Sequence, residues 1–168
     1  MLGRRMRGPK ELPIGVMKRI LIDNITCTST SKYPLIIAGI EGHPVEDVKI
    51  SNVFFRQIGG GDAAMAALKP PANEDKYPDP NMFGNLPASG VFIHNANNID
   101  LSHIEVATEN PDARAGIWMQ DVDGFDGSFL KLPKGAPSFA LDRVSNFRTI
   151  GNRSIKDTRF DKRVSKTL

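Results

Sequence analysis

The stretch EGHPVEDVKISNVFF, Glu41 to Phe55, decides the fold. After a Gly-His-Pro turn, apolar side chains fall at Val45, Val48, Ile50, Val53 and Phe55 with polar residues between them, and Asn52 stands where an apolar residue would continue the run. Alternation with period two places one set of side chains on one face of a strand. A near copy, GVMKRILIDNITC, begins at Gly15. The two could be one hairpin written twice or two turns of a longer repeat.

The rest of the chain answers for a repeat. Ile20, Val48, Ile99, Phe125 and Phe147 head equivalent segments, KRILIDNI, EDVKISNV, NNIDLSHI, DGFDGSFL and SNFRTIGN, whose alternation decays toward the end. A second strand-like segment precedes the later copies at a fixed offset: Val91, Ile117 and Phe139 each lie eight residues before the aligned position. PLIIAGI serves the same purpose before Val48. The units recur every 22 to 28 residues, except where one long insertion separates Val48 from Ile99.

A period in the twenties admits leucine-rich repeats and parallel β-helices. These units use Ile, Val and Phe rather than a leucine framework and have no helical return, so the expected fold is all-β, a right-handed parallel β-helix of about five coils with one long loop. In such a stack, Asn24 and Asn52 fall at the same place in consecutive units. They are read as a structural ladder of inward amides, each satisfied by its own turn and by the amide above it.

Composition agrees with a single domain over residues 1–168. The chain is 40% hydrophobic and 24% charged, enough for one sizeable core. No apolar run approaches the roughly 18 residues of a membrane span, and MLGRRMRGPKELPIGV lacks the apolar centre of a secretory signal. The single Cys27 permits no internal disulfide and reads as a small core residue. The net charge of +3 comes mostly from the two ends, including a basic tail over 157–168 that is expected to be solvated. With no aromatic platform beside those charges, nucleic acid is not an expected partner.

Residues 57–87 do not repeat. Asp62 followed by an alanine-rich run and Pro70 predicts a short capped surface helix, and the proline-rich YPDPNMFGNLPASG after it predicts an irregular loop. Met82 and Phe83 are expected to pin that loop to the repeats, and Trp118 to be core. A long loop on a repetitive scaffold is a favoured place for function.

Four stretches carry a family resemblance: LGRRMRGPKELPIGVMKRILIDNI, IAGIEGHPVEDVKISNV, EDKYPDPNMFGNLPASGVFIHNANNIDLSHIEV and PDARAGIWMQDVDGFD. They resemble the C-terminal coils of bacterial glycoside hydrolase family 28 proteins, the polygalacturonase-like pectin hydrolases, over nearly the whole chain. The loop YPDPNMFGNLPASG is similar to a signature of one bacterial branch.

The resemblance implies a pectin-lyase-like β-helix from an enzyme that hydrolyses galacturonide-type glycosides with inversion, using two separated carboxyl groups. It also implies a parent that is usually secreted or periplasmic. The family's Asn-Thr-Asp, Asp-Asp, Gly-His-Gly and Arg-Ile-Lys motifs are absent from this sequence; Gly42-His43-Pro44 is a turn in the wrong unit and Ser154-Ile155-Lys156 lies too near the C-terminus. The expectation is therefore a C-terminal β-helix portion of a hydrolase of glycosyl bonds, inactive alone, with no catalytic residue of its own. The alternative is a non-catalytic carbohydrate-binding or protein-interaction β-helix. A missing N-terminal half or a second copy would cover the open end of the stack, and a pectic oligosaccharide would be the ligand.

Candidate substrate contacts are Arg5 and Arg7, whose guanidinium groups suit uronate carboxylates, His43 in the turn, and Tyr77 as a sugar platform. Asp121, Asp123 and Asp126 have a spacing that suits calcium, yet no glutamate follows to complete such a loop. No metal or cofactor is expected.

Overall fold

The structure, a computed structural model, describes residues 1–4 and 13–168. Among the described residues eight strands build one sheet system: β1 (Lys18–Ser29), β2 (Leu35–Ala38), β3 (Val45–Gly59), β4 (Ala88–Asn110), β5 (Ala115–Ser128), β6 (Phe139–Ile150), β7 (Thr158–Phe160) and β8 (Val164–Thr167). The order is β1-β3-β4-β5-β6-β7, with β2 beside β4 and β8 beside β6. Every pairing from β1 through β6 is parallel, and β7 and β8 run antiparallel to β6. The fold is mostly β, in an open sheet dominated by parallel pairs.

The register is the one that the repeat demands. Ile20 pairs with Val48, Val48 with Ile99, Ile99 with Phe125, and Phe125 with Phe147. The second segment aligns as well, through Leu35, Val91, Ile117 and Phe139.

Strand β4 has 23 residues, which fully extended would reach about 75 Å at ~3.3 Å per residue. A chain of this size has a radius of gyration of only about 15 Å. The strand bends instead, at Asn95, Asn98 and His103, each with positive φ. These bends repeat from strand to strand. One column holds Arg19, Asp47, Asn98, Gly124 and Asn146; another holds Asn24, Asn52, His103, Phe129 and Gly151; a third holds Asn95, Asp121 and Arg143. A single left-handed residue turns the chain and lets it resume an extended path, and Gly, Asn and Asp adopt that conformation at least cost.

Asn52 is therefore a corner, and this corrects the expected inward ladder. Asn24 and Asn52 do share a column, but both are exposed, and both amides donate to the Asp23 carboxylate, at 2.9 and 3.0 Å. The stacking further along the same column is also on the outside, where the His103 and Phe129 rings lie 5.0 Å apart.

The main core lies between the faces that the bends create. It includes Val48, Ile50, Ile99, Leu101, Phe125 and Phe147. Phe125, Phe147 and Phe160 form a stack with centroids 5.3 and 4.9 Å apart, and Phe139 meets two of them edge-on. Ile20 packs against this core, but Ile22 is 40% exposed, because among the described residues no strand covers the outer side of β1.

A smaller outer cluster joins Phe92 and Trp118, stacked at 5.0 Å, with Met82, Phe83 and Leu86 of the insertion. Burial of each such aromatic side chain stabilises by roughly 1.5–3 kcal/mol, so these contacts anchor the loop. The insertion begins slightly later than expected, since β3 runs to Gly59. It holds a short helix α1 (Ala63–Ala66), capped where Asp62 Oδ1 accepts from the Met65 amide at 2.8 Å, and a 3-10 turn over Pro80–Phe83.

The C-terminal segment departs from the solvated tail that its charge suggested. Thr158 and Phe160 are half-buried on either side of exposed Arg159, as period two requires of β7 against β6, and Val164 is half-buried at the start of β8, where Lys166 lies with its Nζ 4.2 Å from the centre of the Phe160 ring. Leu168 and Phe139 exchange both backbone hydrogen bonds, at 2.9 and 3.0 Å.

Candidate functional site

A groove of about 700 Å³ crosses the bend at which β4, β5 and β6 leave their first straight segments. The left-handed corners Asn95, Asp121 and Arg143 stand side by side there, and two residues further on come Asn97, Asp123 and Ser145. Neighbouring strands are about 4.8 Å apart, so the floor presents polar side chains in rungs of that spacing. Between the two rows Ala96, Val122 and Val144 point into the core, which fixes the direction of the others. The walls include the turn with Ile40, Glu41, Gly42 and Pro44 and the insertion segment with Pro70, Pro71, Ala72 and Glu74, which Arg4 bridges by bonding the Glu74 carboxylate and the Glu41 carbonyl.

Asp121 is fully committed within this floor. Arg143 donates to both of its oxygens, at 2.8 and 2.6 Å, and Arg163 donates a further bond from the segment before β8. The Arg143 hydrogen bonds outweigh the partial burial of the carboxylate and, helped by the charges of Arg143 and Arg163, hold Asp121 below the usual carboxylate range. Arg143 uses its remaining terminal nitrogen on Asp142 at 2.9 Å, and Gln120 donates to the same carboxylate at 2.9 Å. Asp123 accepts from Ser145 at 2.8 Å and from Asn146 at 2.7 Å.

His94 closes the floor at its β4 end. The ring is almost fully buried, and that burial lowers its pKa, so it is neutral at pH 7. The Asn95 amide nitrogen lies 3.2 Å from Nδ1; an amide nitrogen only donates, so Nδ1 accepts and the ring proton sits on Nε2.

A buried ion pair holds the insertion wall in place. Arg114 and Asp112 have completely buried side chains joined at 2.7 Å. Arg114 also donates to the carbonyls of Lys32 at 2.8 Å and Leu86 at 3.3 Å, while Asp112 accepts from the Gly61 amide at 3.0 Å. Both ends of the insertion are thus tied to the connection between β4 and β5. A Cβ on Gly61 would lie 2.2 Å from Arg114 Nε, so only glycine fits there. Burial by itself would raise the Asp112 carboxyl, but the bonds from Arg114 and from the two backbone amides win and its pKa is lowered.

The residues singled out from sequence fall mostly outside the groove. Arg5 and Arg7 lie outside the described residues. Their neighbour Arg4 pairs with Glu74 at the groove wall. His43 closes its turn through backbone bonds to Ile40, at 2.9 and 3.1 Å, while its neighbours Gly42 and Pro44 supply the lining. Tyr77 is 47% exposed and does not line the groove. Asp126 pairs in register with Asp100 on another face, away from Asp121 and Asp123, and among the described residues no group of three or more acidic, His or Cys side chains is placed to hold a metal.

His94, Asn95, Gln120, Arg143 and Arg163 were missed. A signal did exist for the first four: His94 and Gln120 stand three residues after Val91 and Ile117, and Asn95 and Arg143 four after Val91 and Phe139. Those offsets define polar columns as firmly as the apolar ones. Chemically the floor offers fixed donors and acceptors between walls that mix proline rings with the Glu41 and Glu74 carboxylates, and its most constrained carboxylate, Asp121, is held in the charged form. That arrangement suits binding of a hydroxyl-rich ligand better than proton transfer. Compared with protein-family models, curated proteins and solved structures, the chain gives no significant match.

Proposed function

We propose that the chain is a right-handed parallel β-helix of about five coils, a C-terminal portion of a polygalacturonase-like pectin hydrolase, which contributes a polysaccharide-facing groove but not the catalytic carboxylates. Parallel pairing between successive repeats, with left-handed corners in columns, supports the coiled path. The nearly universal right-handed sense of parallel crossovers supports its hand.

The observation that carries the binding role is the groove floor. Its polar side chains recur at strand spacing across β4, β5 and β6, which suits a linear polymer lying along the stack. The ionisation of Asp121, held by Arg143 and Arg163, argues against a general-acid role for it, since a glycosidase acid needs a raised pKa. The test is incubation with polygalacturonate and rhamnogalacturonan oligomers, followed by reducing-end assay and by calorimetric binding. Binding without hydrolysis is expected. Release of reducing ends that disappears in Asp121→Asn or Asp123→Asn would refute the non-catalytic reading.

A further inference from the structure

The charges around the groove do not fit a uronate. Among the described residues its lining carries four carboxylates, Glu41, Glu74, Asp121 and Asp123, against two guanidinium groups, Arg143 and Arg163. Both cations are consumed by Asp121, and Arg143 also by Asp142. Arg4, beside the wall, is paired with Glu74. His94 adds no charge. Among the described residues, a galacturonate carboxylate entering here would meet no unpaired cation and at least two acidic groups, Glu41 and Asp123, for which no cationic partner stands in the groove.

The groove does offer what an uncharged sugar needs. The floor presents the amide of Asn97, half-buried, together with the Asn95 and Gln120 amides, and the walls present the ring carbons of Pro44, Pro70 and Pro71. Amides donate to and accept from hydroxyls equally well, and proline rings pack against the C–H face of a pyranose. We infer that this groove selects a neutral, hydroxyl-rich glycan unit and disfavours a uronate. The inference rests on the glycan reading of the groove and narrows it: along a mixed polymer, this portion of the surface is the subsite for an uncharged residue.

The experiment compares two probes that share stereochemistry and linkage, tetragalacturonate and the same tetramer after reduction of each carboxylate to a hydroxymethyl group. Calorimetry on the full chain measures both, and two-dimensional NMR follows the His94 ring and the Asn97 amide to locate binding. The reduced tetramer is expected to bind about tenfold more tightly at low salt, with the gap narrowing as ionic strength rises. The double substitution Glu41→Gln and Glu74→Gln is expected to raise affinity for the acid about threefold relative to the neutral tetramer. Equal or tighter binding of the acid would overturn the preference while leaving the glycan site intact. Binding that leaves the His94 and Asn97 signals unmoved would overturn the assignment to this groove. Binding of neither tetramer would overturn both this inference and the glycan reading beneath it.

Discussion

The two edges of the sheet stack are finished differently. At the β6 edge, β7 and β8 lie antiparallel across the last long strand, Phe160 continues the aromatic stack, and Leu168 closes the backbone bonds of Phe139. At the β1 edge the same columns of apolar residues have no further neighbour among the described residues. Ile22 is 40% exposed and Ile25 42%, and an apolar hollow of about 270 Å³ lies between β1, β2 and β3. Local sequence does not separate the two, since KRILIDNI alternates as well as any inner repeat. A repeat of this kind buries its face only when a neighbour supplies the other half.

The sharpest way to break this comparison is to delete one inward apolar side chain at each edge. Phe147→Ala removes a fully buried ring packed against three others, and a loss of about 3–5 kcal/mol is expected. Ile22→Ala, on the uncovered strand, should cost about 1 kcal/mol or less. Urea unfolding monitored by circular dichroism reads both. Similar losses would mean that β1 is covered in solution.

Shortening the chain after Arg163 is the next test. It removes Val164 to Leu168 and makes the β6 edge resemble the β1 edge. A loss of about 2 kcal/mol is expected from the two apolar side chains and the ladder bonds, and amide exchange along β6 should rise to the level seen along β1. Unchanged exchange in β6 would show that the closing strands contribute no protection.

These edges also mark where sequence reading succeeds and where it stops. The aligned positions Ile20, Val48, Ile99, Phe125 and Phe147 were legible because register is dictated by alternation, and a shift of one residue would turn every core side chain outward. The corners were not, because an asparagine between apolar residues reads equally as an inward amide or as a left-handed bend; only φ distinguishes the two. The groove was hidden for a related reason. Its residues are ordinary polar types at unremarkable spacings in the chain, and they become neighbours only because three strands stack. The Arg114–Asp112 pair illustrates the same limit: PDAR looks like a solvated turn, yet it is sealed by Gly61 and Leu86 from elsewhere in the chain. Arg114→Ala would leave Asp112 buried without its partner, at a cost of about 3–5 kcal/mol, and thermal unfolding of that variant measures it.

A smaller effect is expected from Leu21→Lys. The side chain is exposed, so stability should change by no more than about 0.5 kcal/mol. An edge strand with unpaired backbone groups and apolar side chains nevertheless recruits other chains, and an added charge opposes that. Light scattering at rising concentration should show less self-association in the variant. The matching change at the other edge, Arg159→Lys on β7, should leave association unaltered.

The smallest effect concerns pH, and it too separates the edges. Asp121 links β5 to the closing segment through Arg163, and its pKa lies below the ordinary carboxylate value, held there first by the hydrogen bonds from Arg143. A depressed folded-state pKa means that the unfolded chain binds the proton more readily. The stabilisation is therefore fully present above the unfolded-state value of about 3.9 and disappears as pH falls through the lower folded-state value. Asp23 on β1 is also depressed, first by its bond from Ser51, but it lies fully exposed and tethers no closing strand. Acid below pH 4 should therefore loosen Val164 to Thr167 before it alters β1. Amide exchange along β8, compared between pH 6 and pH 3, reads this directly, and Asp121→Asn should reproduce the acid pattern at pH 6. Loosening of β1 before β8 would mean that the Asp121 bridge does not hold the closed edge.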